Sequence, residues 1–287
     1  MATARQVKQR INTAKNISKI TKAMEMVSAS KMKRAQDQTL AARPYAQALA
    51  ESLRTLAREA TPDLHPLLSA HDEGTDVLII VSTDRGLCGS LNQNMFKKAM
   101  EWYRVHPNGK FIVVGKKAVA FAKFLSLEVI AQFVSIPDKV STGDILPISA
   151  LIIDRFTEHS YRSVSVVYMD FINTLSQKVN LQQVLPIKNL VEEVILVETE
   201  RGQYVFEPSP GEILKELLPY YVENSIYQSF LEGKASEHSA RMVAMKNASE
   251  NAKDLVKELQ LLFNKSRQES ITRELLEITT AQMTLES

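Results

Sequence analysis

A chain of 287 residues with 35 Lys+Arg against 33 Asp+Glu has a formal charge of +2, so as a whole it gives no sign of a polyelectrolyte partner. Hydrophobic residues at 45% suffice for a real core, while aromatics at 7% and only nine glycines point to one or two domains unusually rich in helix. The single cysteine, Cys88, excludes a disulfide framework and a multi-cysteine zinc site, and apolar runs of at most five residues, VLIIV (77–81) and AVAFA (118–122), fall far short of the ~18 that a membrane-spanning helix needs.

The N-terminal segment is the electrostatic outlier. Residues 1–36 hold nine Lys/Arg and one acid, Glu25, a net of +8, which leaves −6 for the remainder. The first residues, MATARQVKQR, are basic without an apolar region or small-residue cleavage site, which argues against secretion. No glycine precedes Gly74 and the first proline is Pro44, so the segment reads as a long helix. Val7, Ile11, Ala14, Ile17, Ile20, Met24 and Val27 recur at steps of three or four and form an expected apolar stripe, with Lys8, Lys15, Lys19 and Lys22 in a separate basic arc. Such an arc could meet nucleic-acid phosphates, but no aromatic residue occurs before Tyr45; a flank facing solvent or acidic protein loops fits at least as well.

From Asp76 to about Pro208 the pattern changes. VLIIVST (77–83), FIVVG (111–115), VIAQFV (129–134), VSVVYM (164–169) and VEEVILVET (191–199) read as strands. Helix-like stretches at 92–104, 116–125 and 144–158 separate the earlier ones, giving β-α-β-α-β-α-β and an open, mostly parallel sheet. TDRGLCGSLNQN (83–94) follows a strand and precedes a helix, where such a sheet cradles phosphates, yet its spacing fits neither a dinucleotide fingerprint nor a Walker loop. Cys88 there reads as a buried structural thiol and His238 as a structural histidine; the five histidines form no metal-ligand or catalytic pattern. Neither a cofactor nor a catalytic residue is expected.

Residues 234–287 contain no Gly or Pro. Met242, Met245, Ala252, Val256, Leu259 and Phe263 average close to 3.5 residues per step, the repeat of a left-handed coiled coil. Fully helical, this segment would measure roughly 80 Å, against a radius of gyration of about 19 Å for a compact chain of this length. The expected fold is α/β: a long antiparallel coiled coil of helices 1–60 and 210–287, with an open Rossmann-like head, 74–208, inserted between them.

Three blocks then carry a resemblance over essentially the whole chain: RINTAKNISKITKAMEMVSASKMKRAQ (10–36), TDRGLCGSLNQN (83–94), and ASEHSARMVAMKNASENA with NKSRQESITRELLEI (235–252 and 264–278). Together they resemble the gamma subunit of F-type ATP synthases. The resemblance implies a non-catalytic rotor stalk whose paired helices stand inside three alpha and three beta subunits. Its head then lies against epsilon and the c-subunit ring, peripheral to the membrane and with no nucleic-acid partner. It implies that Met24, Arg241, Arg267, Gln268, Glu269, Thr272 and Glu277 belong to the beta-subunit contact and coupling region, that Tyr204 and Glu207 touch the c ring, and that Lys8, Lys15, Lys19 and Lys22 face acidic beta-subunit loops. Leu275, Leu276, Ile278 and Met283 suit an axle tip in an apolar sleeve, although TTAQMTLES departs from the Gly-Ala-rich end usual in the family. The lone cysteine and the absence of a transit peptide point to a bacterial enzyme at the cytoplasmic face of the plasma membrane.

Overall fold

The structure is a computed structural model that describes residues 4–59, 65–187 and 207–286. Helix α1 spans Ala4–Glu59; then come β1 (Thr75–Val81), α2 (Leu91–Val105), β2 (Lys110–Val114), α3 (Lys116–Phe124), β3 (Val129–Phe133), α4 (Thr142–Thr157), β4 (Tyr161–Phe171), β5 (Gln177–Leu185) and the 77-residue helix α5, Pro210–Glu286. The chain divides into two compact units, one of Met1–Ser28 with Met242–Ser287 and one of Ala29–Arg241.

In the second unit the strand order is β3-β2-β1-β4-β5, with β1 parallel to β2 and β4, β2 parallel to β3, and β5 antiparallel to β4. The alternation of side chains along a strand sorts the apolar run 77–81 onto two faces. Val77, Ile79 and Val81 join Ile112, Val166, α4 (Ile148, Ile152, Phe156), α1 (Leu53) and α5 (Leu218, Val222, Ile226) in one core. Leu78 and Ile80 join Phe111, Val113, Met95, Trp102 and Ala118 in the other. A strand buried on both sides explains why the sequence shows an unbroken hydrophobic run and no alternation.

The first four strands and three intervening helices lie where the sequence pattern puts them. The antiparallel edge β5 does not follow from that pattern, because QKVNLQQVL is half polar and only half buried. The expected strand VEEVILVET (191–199) lies outside the described residues.

In the two-helix unit, Ser18 Oγ donates to Ser249 O at 3.4 Å and Ser249 Oγ donates back to Ser18 O at 3.3 Å. Towards the start of α1 the partners rise in number, Lys8 and Ile11 lining a groove with Lys257 and Asn264, so the helices run antiparallel. On α5 buried or half-buried Met242, Met245, Ser249, Ala252, Val256, Leu259, Phe263 and Ser266 recur at alternating steps of three and four, with Val243, Ala244 and Ala248 half-buried beside them. The expected C-terminal stripe is therefore the contact seam, with Ser249 filling its one gap.

On α1 the expected stripe is corrected. Val7, Ile11 and Ala14 are buried and Met24 is half-buried, but between and beyond them the seam runs through half-buried Ser18 and Thr21 to buried Ser28, and Ile17, Ile20 and Val27 stand 48%, 59% and 56% exposed. Each step of three falls about 60° short of a full turn, so 11→14→17→20 carries Ile20 roughly 180° away from Ile11. Alternating threes and fours hold a seam, and here serines continue it because their small side chains admit close backbone approach.

Ser249→Leu should therefore overpack the seam and cost about 1–3 kcal/mol, whereas Ile17→Ser should stay within about 0.5 kcal/mol of the parent. Urea titration of the isolated chain, followed by circular dichroism, distinguishes them; equal losses would put Ile17 back in the seam.

Candidate functional site

In an open α/β sheet the ligand crevice lies beyond the carboxyl ends of the strands, where the strand order reverses. Here that place is bounded by Val81, Ser82, Thr83 and Asp84 after β1, Val114 and Gly115 after β2, and Met169 of β4. Helix α5 fills it with Phe230, Gly233, Lys234 and Glu237. The helix packs closely on β1 at Gly233, where an added Cβ would meet Val81 Cγ1 at 3.5 Å, an ordinary van der Waals contact. Ser236 Oγ donates to Met169 O (3.0 Å) and Ser239 Oγ to Thr174 O (2.6 Å), so the buried helix satisfies its hydroxyls on the strand and loop it crosses.

In the loop 83–94, Thr83, Asp84 and Asn92 spend their polar groups on hydrogen bonds within the unit. Thr83 Oγ1 donates to Arg85 O (2.7 Å) and accepts from Asn92 Nδ2 (2.8 Å). Asp84 Oδ1 accepts the Lys116 backbone N–H at 3.0 Å, at the start of α3. Gly115, at φ +88°, is required there, since a Cβ would stand 2.5 Å from Ser82 O. Arg241, 7% exposed, donates to Gly86 O and Arg85 O (3.2 Å each) and to Glu237 Oε1 (2.8 Å); Lys234 Nζ lies 3.9 Å from Glu237 Oε2. A chain of paired charges from α5 thus occupies the ground a phosphate would take. Burial pushes the Cys88 thiol up despite the nearby Arg241 charge, which keeps it in the neutral form. Among the described residues no three His, Cys, Asp or Glu side chains converge as metal ligands.

The coupling residues expected from sequence fall in different surroundings. Arg241 belongs to the α/β unit and directs its donors inward. Met24 is half-buried in α1, and Arg267, Gln268, Glu269, Thr272 and Glu277 are exposed on α5 past the end of the seam; Thr272 Oγ1 donates to Gln268 O of its own helix (2.9 Å). Lys8, Lys15 and Lys19 are exposed, and Lys22, also exposed, pairs with Glu25 at 3.0 Å. Glu207 is exposed, while Tyr204 lies outside the described residues, as does the Met283 side chain.

Sequence reasoning missed one buried acidic cluster. Glu232 of α5, 8% exposed, accepts from Gln228 Nε2 at 2.8 Å and faces Asp170 and Tyr168 of β4, with Arg43 of α1 as the nearby cation. Asn180 of β5 donates to Tyr168 Oη at 3.0 Å. Burial raises the Glu232 pKa to about 7; the Gln228 hydrogen bond and the Arg43 charge oppose this, and the Asp170 charge and a shared hydrogen bond add to it. The same burial, with Glu232 beside it, raises Tyr168. Only the i, i+4 spacing of Gln228 and Glu232 was visible beforehand, and it does not reveal a carboxylate arriving from a strand.

Two terminal helices that pair with each other, and an α/β domain inserted between them in sequence whose crevice one of them fills, define a class of protein: the coiled-coil stalk with an inserted head. A family model described as ATP synthase matches residues 3–285. The ATP synthase gamma chain of Akkermansia muciniphila is 41% identical, the alignment covering 100% of both chains. Among solved structures, the rotor of the Euglena gracilis mitochondrial ATP synthase superposes with a TM-score of 0.67 at 19% identity, covering 93% of this chain and 98% of the other. The central stalk and c ring of Tetrahymena thermophila mitochondrial ATP synthase gives 0.61 at 26% identity, covering 80% and 99%. The chain belongs to the ATP synthase gamma chain family, the family of the central rotor stalk.

Because the folded-state pKa of Glu232 stands at about 7 against an ordinary 4.5, the protonated form is favoured on folding. Its contribution is fully present below pH 4.5 and is lost as pH rises through about 7. Glu232→Gln, neutral at every pH, should flatten that loss: variant and parent should match most closely in acid and separate in the variant's favour towards alkaline pH. Urea midpoints measured across the interval check this, and a parallel pair of curves would refute the assignment.

Proposed function

We propose that the chain, itself without catalytic residues, transmits rotation between a membrane c ring and a catalytic ring of three alpha and three beta subunits. It sits peripherally at the cytoplasmic face of the plasma membrane, with epsilon beside its head. The observation that carries this reading is the surface of the two-helix unit. Past Ser266 every described side chain of α5 through Thr280 is exposed, including Ile271 (45%), Leu275 (58%), Leu276 (61%) and Ile278 (61%). Ile17, Ile20 and Val27 add exposed apolar area on α1. Apolar surface of this extent on a helix marks a protein contact. No described helix is long and apolar enough to cross a membrane, in keeping with a peripheral chain.

The division of labour follows the chain. Helices 1–60 and 210–287 serve as the shaft and residues 74–208 as the head. Lys8, Lys15, Lys19 and Lys22 face acidic beta-subunit loops; Met24, Arg267, Gln268, Glu269, Thr272 and Glu277 meet the beta subunits; Tyr204 and Glu207 meet the c ring. Arg241 acts through the loop 85–86 that it holds. Because the helix pair is not threefold symmetric, it contacts each beta subunit differently, and differential affinity for alternative conformations is what allows a bound element to shift their populations. A nucleotide-binding enzyme built on the loop 84–89 is disfavoured by the helix that fills the crevice.

Reconstitution tests the reading: alpha and beta subunits with this chain should hydrolyse ATP and rotate it, and equal activity without it would sink the proposal. Arg267→Ala with Gln268→Ala should slow turnover of the complex through loss of contacts of roughly 0.5–3 kcal/mol each, while the isolated chain keeps its circular dichroism spectrum. Met24→Lys should lower the protons pumped per ATP without unfolding the chain; parental pumping would contradict its assignment to the coupling contact.

A further inference from the structure

The connection from β3 to α4 touches both long helices within the α/β unit. Ile136 O accepts from Lys234 Nζ of α5 at 3.0 Å. Asp138 Oδ2 accepts from Lys31 Nζ of α1 at 2.6 Å; its Oδ1 lies 3.2 Å from Nε2 of buried His238 on α5, a contact without an in-line hydrogen bond that carries charge only when the imidazole is protonated, which burial opposes. Val140 O accepts from Gln38 Nε2 of α1 and Tyr227 Oη of α5, both at 3.3 Å. Val140 O is shared between the two helices, and Asp138 and Ile136 O add one hydrogen bond each, to α1 and α5 respectively.

The donors are regularly spaced. Lys31 and Gln38 are seven residues apart on α1, as are Tyr227 and Lys234 on α5, and seven residues is two helical turns. The loop therefore engages one stripe of each helix. Its own ends are fixed: the Ser135 N–H donates to Asp84 Oδ1 at 3.4 Å, and Ser141 caps α4 with its N–H on Asp144 Oδ2 at 2.8 Å. Partial burial alone would raise the Asp138 pKa, but the Lys31 hydrogen bond and the charges of His238, Lys31 and Lys234 hold it below the usual carboxylate range. A helix turning about its axis would have to drag this anchored loop with it.

We propose that residues 135–141 form a torque clasp, with Asp138 its positioning residue, fixing the segments of α1 and α5 that belong to the α/β unit against rotation relative to its sheet. The inference rests on the rotor-stalk reading. Lys31 and Asp138 side chains are 38% and 47% exposed, and such ion pairs contribute little to global stability. Loss of the clasp should thus appear in stiffness and hardly at all in melting.

The test uses the full chain in a complex with alpha and beta subunits, the ring immobilised and stalled, and a bead attached through Val105→Cys, an exposed site on α2. Asp138→Ala with Gln38→Ala removes two of the four hydrogen bonds to the loop, and the angular variance of the bead should rise about twofold, since the mean-square angular displacement of a thermally driven body is inversely proportional to its torsional stiffness. Asp138→Glu should restore the parental variance. Glu128→Ala, which breaks the exposed pair with Lys110 elsewhere on the head, should leave it unchanged. Unloaded ATP hydrolysis should match the parent in all variants. Should the double variant fail to fold, Asp138→Asn alone, which keeps an acceptor oxygen and loses the charge, should give a smaller rise. Unchanged variance in whichever of these folds and rotates overturns the clasp, as does an equal rise in Glu128→Ala. A parent complex that does not rotate would instead overturn the rotor reading.

Discussion

The architecture of the α/β unit depends on one stretch of α5 being buried on nearly every side. From Ser229 to Ser239 the buried residues are Ser229, Phe230, Leu231, Glu232, Ala235, Ser236, Glu237, His238 and Ser239, leaving only Gly233 and Lys234 partly open. A helix enclosed all round is ordinarily apolar all round. This one is half polar, and its hydroxyls are bonded to backbone carbonyls while Glu237 is paired with Arg241 and Lys234 and Glu232 accepts from Gln228. Small side chains let strands, loops and α1 close on it; Ala35, Phe171 and Ala235 meet in one such contact. The same enclosure closes the sheet's crevice, so the element that completes the core also removes the place where this kind of sheet would bind a ligand.

How much of this was legible in the sequence depends on whether burial was apolar or polar. The strands 77–81, 111–114 and 164–169 declared themselves because a strand covered on both faces must be continuously hydrophobic. The α5 seam declared itself through Met245, Val256, Leu259 and Phe263. The α1 seam did so only at Val7, Ile11, Ala14 and Met24, since Ser18, Thr21 and Ser28 carry no hydrophobic signal while exposed Ile17, Ile20 and Val27 do. Apolarity on that helix marks two surfaces, one turned to α5 and one left open, and periodicity alone could not separate them. The edge strand β5 was hidden for a related reason: half-exposed edges tolerate glutamine.

The clasp and the acidic cluster were illegible for another reason. Ile136 O and Val140 O are backbone acceptors, which any residue supplies, so only the folded geometry can make them meet Lys234, Gln38 and Tyr227. Glu232 and Asp170 are 62 positions apart and become neighbours only when β4 lies beside α5. Of the candidate site, residue types and exposure along α5 could be anticipated, but the inward commitment of Arg241 could not, because its partners are two carbonyls and a glutamate one helical turn away.

The charge asymmetry resolves along the same division. Some of the +8 in residues 1–36 is spent within the chain: Lys22 pairs with Glu25, Lys31 with Asp138 and Lys33 with Asp37. Lys8, Lys15 and Lys19 keep their exposure on the two-helix unit, where isolated surface pairs would add little to stability in any case. Most helical stability comes from packing of an apolar face, and the described turns of α5 beyond Ser266 have no such packing inside this chain. Basic surface on α1 and unpacked apolar surface on α5 are thus retained in the unit that contributes least to the chain's own core. That is the distribution expected of a chain whose terminal helices complete their packing against other subunits.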